Sequence, residues 1–245
     1  LHALNNDSGV RDSEQDLYLG ILWSQRNGNA DPWAGGIDNF QIWNTSLTGS
    51  EIAQIASNNL DVRRDALVAE YTFDNDVDNE VLDSSGEGNH GTLVSGETLP
   101  PLDEFPDDGN ATIPPLSGNY LHLDGNSYDS PWEYVVIPDS PSLSITGEIT
   151  VASWIYRENA GGDWRNLYDI PDAHLLEFSP EGGFDWRAEN DLMDFNINGP
   201  VIPEGEWVHI AATMAETEAG YEASVYVDGL LVDSENVNNW QLHAL

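Results

Sequence analysis

The sequence predicts an all-β protein, an antiparallel β-sandwich with one short helix, and three observations predict it. Short runs of alternating or wholly apolar residues recur from Leu67 to Val232. Gly, Asp, Asn and Pro turns separate them, with Asp228-Gly229 the plainest hairpin signal. Helical spacing occurs in only one stretch, around Leu47, Ile52 and Ile55.

In chain order, Tyr18-Leu19-Gly20-Ile21-Leu22-Trp23 reads as a short apolar strand, and Ser24 to Ala34 as a loop of Asn, Gly, Asp and Pro. Gly36 to Asn44 (Gly-Ile-Asp-Asn-Phe-Gln-Ile-Trp-Asn) carries apolar residues on both faces, which predicts a strand at the centre of a packed sheet. The helix that follows takes Thr48 or Ser50 as its cap and Glu51 near the positive end of its dipole. After Asn59 to Asp65 a new unit begins, where Leu67, Ala69, Tyr71 and Phe73 alternate. Asp74 to Asn89 is an acidic loop, and five prolines between Gly96 and Gly118 mark an irregular excursion. Further strands are predicted at Tyr120–Leu123, Tyr134–Ile137, Ile149–Arg157, His174–Ser179, Phe184–Ala188, Met193–Ile197, Trp207–Met214 and Ala223–Val227, with Leu231-Val232 after the turn.

Composition narrows the function. There are 44 Asp+Glu against seven basic residues, all Arg, for a net charge of −37. Such a surface repels nucleic-acid phosphates and anionic lipid headgroups. It suits solubility in high salt, and it offers hard oxygen ligands to divalent cations. No apolar run approaches the ~20 residues of a membrane span. Without cysteine there is no disulfide framework, thiolate zinc site or cysteine nucleophile. The six histidines show neither HxH nor HxxxH spacing, which points to structural roles rather than zinc. The lack of an initiator Met and of a signal peptide suggests a mature product or a window from something longer.

Several stretches, taken together and in order, resemble the laminin G-like, concanavalin A-like lectin/glucanase jelly-roll family. Leu67-Val68-Ala69-Glu70-Tyr71-Thr72-Phe73-Asp74, then Asp83-Ser84-Ser85-Gly86 and Asn89-His90-Gly91, resemble its first strand and loop. Leu121-His122-Leu123-Asp124-Gly125, Val136 to Leu143 and Ile149 to Ile155 match its middle. Trp207-Val208-His209-Ile210-Ala211 and Val225-Tyr226-Val227-Asp228-Gly229 match its later strands. Its closing motif resembles Gly36-Ile37-Asp38 through Trp43-Asn44, Leu47 and Glu51-Ile52, which here come first.

The order departs from the family, and the two ends suggest why. Leu1-His2-Ala3-Leu4 recurs as Leu242-His243-Ala244-Leu245, an offset of 241 residues. Residues 1–62 are therefore expected to be the C-terminal part of a laminin G-like jelly roll and residues 63–245 the N-terminal part, together about one repeat. Circular permutation or a cloning duplication is the alternative. The parts complete each other within the chain, or each does so with a neighbouring copy.

The resemblance implies a structural Ca²⁺ where the first loop, the Asp-Gly turn and the closing strand meet, with Asp38, Asp83, Asn89 and Asp124 at the matching positions. Against this, Asp83 and Asn89 could serve only to cap turns. Asp74, Asp76 and Asp78 alternate but lack the glycine and closing Glu of an EF-type loop. Sugar binding is the family's other use. Trp23, Trp33, Trp132, Trp164 and Trp186 lie in or beside predicted loops, and Trp164 and Trp186 are the carbohydrate-binding candidates. Trp43, Trp154 and Trp207 are expected in the core. A glycoside hydrolase is disfavoured, because no strand carries Glu-x-Asp-x-x-Glu. Asn6-Asp7-Ser8, Asn44-Thr45-Ser46 and Asn110-Ala111-Thr112 fit glycosylation acceptors. The resulting expectation is a calcium-stabilised extracellular repeat domain that builds a fibre, matrix or cell-surface stalk through neighbouring copies of itself. A carbohydrate-binding module that engages surface or matrix glycans is the alternative, and no enzyme activity is expected.

Overall fold

The computed structural model describes residues 13–22, 31–94, 118–125, 132–158, 164–171, 173–190 and 193–237. The terminal tetrapeptides, Trp23 and the Asn6 and Asn110 triplets lie outside them. Two antiparallel sheets pack face to face, as alternating strands with one apolar face require.

The first strands are β1 (Leu17–Leu19) and β2 (Ala34–Trp43), followed by helix α1 (Gly49–Ile55). Then come β3 (Leu67–Tyr71), β4 (Glu80–Val81), β5 (Gly91–Val94), β6 (Leu121–Asp124), β7 (Tyr134–Ile137) and β8 (Ile149–Arg157). The rest are β9 (Arg165–Ile170), β10 (His174–Phe178), β11 (Gly183–Asn190), β12 (Met193–Val201), β13 (Trp207–Thr217), β14 (Gly220–Val227) and β15 (Leu230–Val237). The eight-stranded sheet runs β12-β11-β10-β9-β1-β7-β5-β4, and the seven-stranded sheet runs β15-β14-β13-β8-β2-β3 with β6 also on β2. Strands from 1–62 and from 63–245 thus share both sheets.

β2 is central, as its two apolar faces predict, and every residue in it is buried. One edge pairs with β8. The other is shared end to end by β6, from Ala34 to Ile37, and by β3, from Phe40 to Trp43. At the junction the register slips, and Asn39 takes a left-handed φ of 47°, an Asn-tolerated conformation that marks a bulge. Gly36 lets the strand pass under aromatic rings, since a Cβ there would stand 2.6 Å from the Trp207 ring.

Ile37, Phe40 and Ile42 of β2 join Leu17, Leu19, Tyr168, Leu176, Trp186 and Ile210 in the main core between the sheets. A second apolar cluster lies on the outer face of the seven-stranded sheet. There α1 lays Ile52 and Ile55 over Trp43, Ala152, Ala211 and Tyr226. The helix starts at Thr48, whose hydroxyl accepts from Glu51 N while the Glu51 carboxylate accepts from Thr48 N at 2.7 Å, a capping box.

Three strands escaped the sequence reading: β4, β5 and β9. The first two are short, and β9 (Arg-Asn-Leu-Tyr-Asp-Ile) mixes polar and apolar residues without a period because it contains a bulge at Leu167.

Candidate functional site

The polar loop at Asp83 and Asn89 is built from its own hydrogen bonds. Asp83 Oδ1 accepts from Glu70 N and Ser85 N, both at 2.9 Å. Its Oδ2 accepts from Ser85 Oγ at 2.8 Å and Asn89 N at 2.9 Å. The Asn89 amide donates to Val68 O at 2.7 Å and Ser142 Oγ at 2.8 Å, and its Oδ1 accepts from Ser140 Oγ at 2.6 Å. Tyr71 donates its hydroxyl to Asn89 O at 2.6 Å. The two residues are brought together, and what they do is lock the loop onto β3. A cavity of about 360 Å³ opens beside this node, lined by Asn44, Glu87, Ser142, Ser144, Ile145 and Thr146. Asn44 of the glycosylation triplet is exposed there.

Asp38 and Asp124 lie elsewhere. Asp124 is opposite Ala34, at the end of β6 remote from Asp38. Asp38 occupies the bulge, 3% exposed. Among the described residues its oxygens accept only from the adjacent Asn39, by its N–H at 2.7 Å and its side-chain amide at 3.3 Å. Burial pushes its pKa up to about 8, with Asp74 adding to the rise against the Asn39 N–H bond. Asp74 itself accepts from Asn119 N at 2.8 Å, tying the loop after β3 to the start of β6. Trp154, the cross-strand partner of Asp38, and His209 beyond it carry two buried nitrogens without a hydrogen-bond partner, Nε1 and Nδ1. The four expected calcium ligands therefore do not converge, and no group of three or more His, Asp or Glu is arranged for a metal among the described residues. Asp74 is the carboxylate that acts on Asp38, which is buried.

The tryptophan expectations divide. Trp164 is 40% exposed just before β9. Trp186, placed beside a loop by sequence reading, belongs to β11 instead and is fully buried, donating from Nε1 to Tyr168 Oη at 3.0 Å. It cannot offer a ring to a sugar, because it sits beside its register partner Leu176 of β10 on the inner face of the sheet, in the core. Trp33 is likewise buried in the core, and Trp207 is half-buried on the outer face of β13.

A polar array that the sequence did not disclose lies on the outer face of the eight-stranded sheet. Leu176 and Phe178 point into the core, so Glu177 between them points out. Its neighbours in register are Asn166 on β9 and Asp185 on β11, with Asn198 of β12 beyond Asp185. The adjoining row runs Asn196, Arg187, Leu175, Asp169 and Tyr18. Arg187 Nη2 stands 3.1 Å from Glu177 Oε1 and joins the two rows. Exposure falls across the face: Asn196 and Asn198 are open, Asp185 and Arg187 half-buried, and Asp169 and Glu177 each 3% exposed. At the buried end Asn166 is fully enclosed, and neither its Oδ1 nor its Nδ2 has a hydrogen-bond partner. Burial raises the pKa of Asp185 while Arg187 lowers it. Directly opposed residues such as Glu177 and Asp185 hold their Cβ atoms about 4.5–5.5 Å apart. A search confined to single strands cannot see such a pair.

Residues 129–244, from before β7 to beyond β15, match the family model Laminin_G_3 of the concanavalin A-like lectin/glucanases superfamily. The match covers a little under half of the chain and is a similarity to that superfamily. Comparisons with curated proteins and with solved structures return no match. This similarity and the two-sheet sandwich support a lectin-like or adhesive module in the broad sense; that superfamily is mainly non-catalytic, and laminin G-like domains are typically extracellular. No helix among the described residues is long and apolar enough to cross a membrane.

Proposed function

We propose that the chain is an extracellular adhesive module that binds a glycan on the outer face of its eight-stranded sheet. The observation that carries this reading is Asn166. A buried amide with neither group bonded costs about 1–3 kcal/mol relative to a paired one, and a sugar hydroxyl, which both donates and accepts, would meet both groups once the cover over the fully enclosed Asn166 opens. Glu177, Asp185 and Asn198 extend the same row toward solvent, with Asn196 in the adjoining row, and add acceptors and amides. Binding suits the face better than hydrolysis, because the Glu177 oxygen is engaged by Arg187 rather than left to a leaving group. The test is titration of isotope-labelled protein with neutral oligosaccharides. Amide shifts should concentrate at Asp185, Arg187, Asn196 and Asn198 and vanish in Asn166→Val. A panel that shifts none of them overturns the reading.

A second reading concerns Ca²⁺ and is favoured by the Asp38 carboxyl, buried beside Asp74 with no cationic partner. Asp38 and Asp74 would hold the ion and so clasp the bulge of β2 to the loop after β3, stabilising a bead in an array of neighbouring copies. Added Ca²⁺ should raise Tm in wild type and not in Asp38→Asn. Equal melting with Ca²⁺ and with chelator removes this reading.

A further inference from the structure

We propose that Asn44 is an N-glycosylation site and that the first sugar of its glycan rests in the cavity beside the Asn89 node. This goes beyond the ligand readings above and uses neither sheet face. Asn44-Thr45-Ser46 is the acceptor triplet that lies among the described residues. The pattern pairs an Asn amide with a hydroxyl two residues on. Here β2 has just ended, and the turn is held by its backbone. Asn44 N donates to Ala66 O at 3.0 Å, and Thr150 Oγ1 donates to Thr45 O at 2.8 Å. The middle side chain is tied as well, Thr45 Oγ1 donating to Glu148 Oε2 at 3.3 Å. The two groups that define the acceptor are left out of these bonds. Among the described residues neither the Asn44 amide nor the Ser46 hydroxyl has a hydrogen-bond partner, and Asn44 is exposed. The fold therefore presents the acceptor on a fixed turn and does not consume it.

The same turn opens onto the cavity of about 360 Å³, whose wall brings together three segments remote in sequence. Asn44 comes from the turn after β2, Glu87 from the β4–β5 loop, and Pro141, Ser142, Ser144 and Thr146 from the segment between β7 and β8. The Glu87 carboxylate and the Thr146 hydroxyl are exposed, with no partner among the described residues. Sugar hydroxyls donate to the one and exchange hydrogen bonds with the other. In the transfer, Asn44 Nδ2 attacks the anomeric carbon of a sugar carried on a pyrophosphate. The C–N bond forms as the C–O bond to phosphate breaks, the pyrophosphate leaves with that electron pair, and Nδ2 gives one proton to a base of the transferase. A sugar so joined would clasp the turn after β2 to the other two segments.

The experiment secretes the chain from a glycosylating eukaryotic host, removes N-glycans in heavy-oxygen water and reads the peptides by mass spectrometry. The tryptic peptide from Asn27 to Arg63 holds no other acceptor triplet, so a heavy-oxygen mark on it reports Asn44. Wild type should carry the mark at Asn44, and Ser46→Ala should carry none. An unmarked Asn44 in the secreted, folded wild type overturns the site. Seating in the cavity is read on protein trimmed to one sugar per site. Wild type should then melt about 2–4 °C above Ser46→Ala treated in the same way, and hydrogen exchange at residues 142–146 should slow. The two proteins made in a host without N-glycosylation should melt together, which assigns the difference to the sugar. Glu87→Ala should keep the mark and lose most of the rise in Tm. Equal melting of trimmed wild type and Ser46→Ala, with unchanged exchange at 142–146, overturns the seating and leaves the modification site.

Discussion

The outer faces of the two sheets use the same kinds of residue to opposite ends. On the seven-stranded sheet, α1 seals Trp43, Ala152, Ala211 and Tyr226, and Trp43 Nε1 donates to Val62 O at 3.1 Å. The buried carboxylate there, Glu70, accepts from Gln41 Nε2 at 2.8 Å and from Arg64 Nη1 at 2.7 Å. That cover is not complete, since Trp154 Nε1 and His209 Nδ1 on the same face of the seven-stranded sheet are buried without a hydrogen-bond partner. On the eight-stranded sheet no helix among the described residues covers the face, Glu177 is ion-paired with Arg187, and both side-chain polar atoms of Asn166 are left unmatched. Where polar groups are left unmatched, the fold gives up stability that a ligand can restore.

The comparison breaks most easily at the sealed face. Trp43→Ala should cost about 3–5 kcal/mol in urea unfolding, the range for a fully buried aromatic. A loss under about 1 kcal/mol would mean that the helix-covered face is not a second core.

Acid comes next. Burial holds His209 at a pKa of about 3 and His174 at about 4, so the fold keeps both neutral, whereas the unfolded chain protonates them near pH 6.5. Their depressed pKa values make the stability they contribute full above about pH 6.5. It is lost as pH falls toward 4 and then 3, by roughly 2 kcal/mol each at pH 4.5. Asp38, raised to about 8, has the opposite sign: its contribution is present below about pH 4 and is lost as pH rises through 8. Unfolding measured from pH 8 to 4.5 should therefore lose less stability toward acid in His209→Gln than in wild type, and an identical slope would refute the assignment.

The hydrogen-bonded node at Asn89 should respond at about 2–3 kcal/mol to Asn89→Ala, because its amide answers Val68 O and the Ser140 and Ser142 hydroxyls. Asp38→Asn should go the other way above pH 8 in chelator, gaining about 1 kcal/mol by removing an unmatched buried charge. Loss of stability there would show that the Asn39 bonds to the carboxylate outweigh its burial. The smallest effect is expected on the open face: Asn166→Val should leave stability within about 1 kcal/mol of wild type, or raise it, since it replaces an unbonded amide by a similar apolar volume. A cost above about 2 kcal/mol would mean that Asn166 belongs to the fold rather than to a site.

Much of the architecture was legible along the chain. Apolar residues on both faces of Gly36 to Asn44 announced a central strand, and Thr48 with Glu51 announced the helix start, because strand burial and capping are read from neighbours a few residues apart. The candidate site was legible only in part. Asp38 stood out as a buried acid in a core strand, yet its expected companions Asp83, Asn89 and Asp124 lie in places where local loop bonding or strand position gives them other work. Trp186 was counted in or beside a loop although it falls in the predicted strand Phe184–Ala188, and its register with Leu176 places it in the core.

By itself the sequence determined the fold class, the central strand, the capped helix and the acidic, lysine-free surface, all properties of composition and short-range period. Tertiary structure alone decided that Asn166, Glu177 and Asp185 share one face. They lie on three strands, and the bulge at Leu167 reverses the alternation that would otherwise assign Asn166 to the core. Register of this kind is a non-local quantity, set by how whole strands pack against each other, and a one-residue slip exchanges the two faces of a strand.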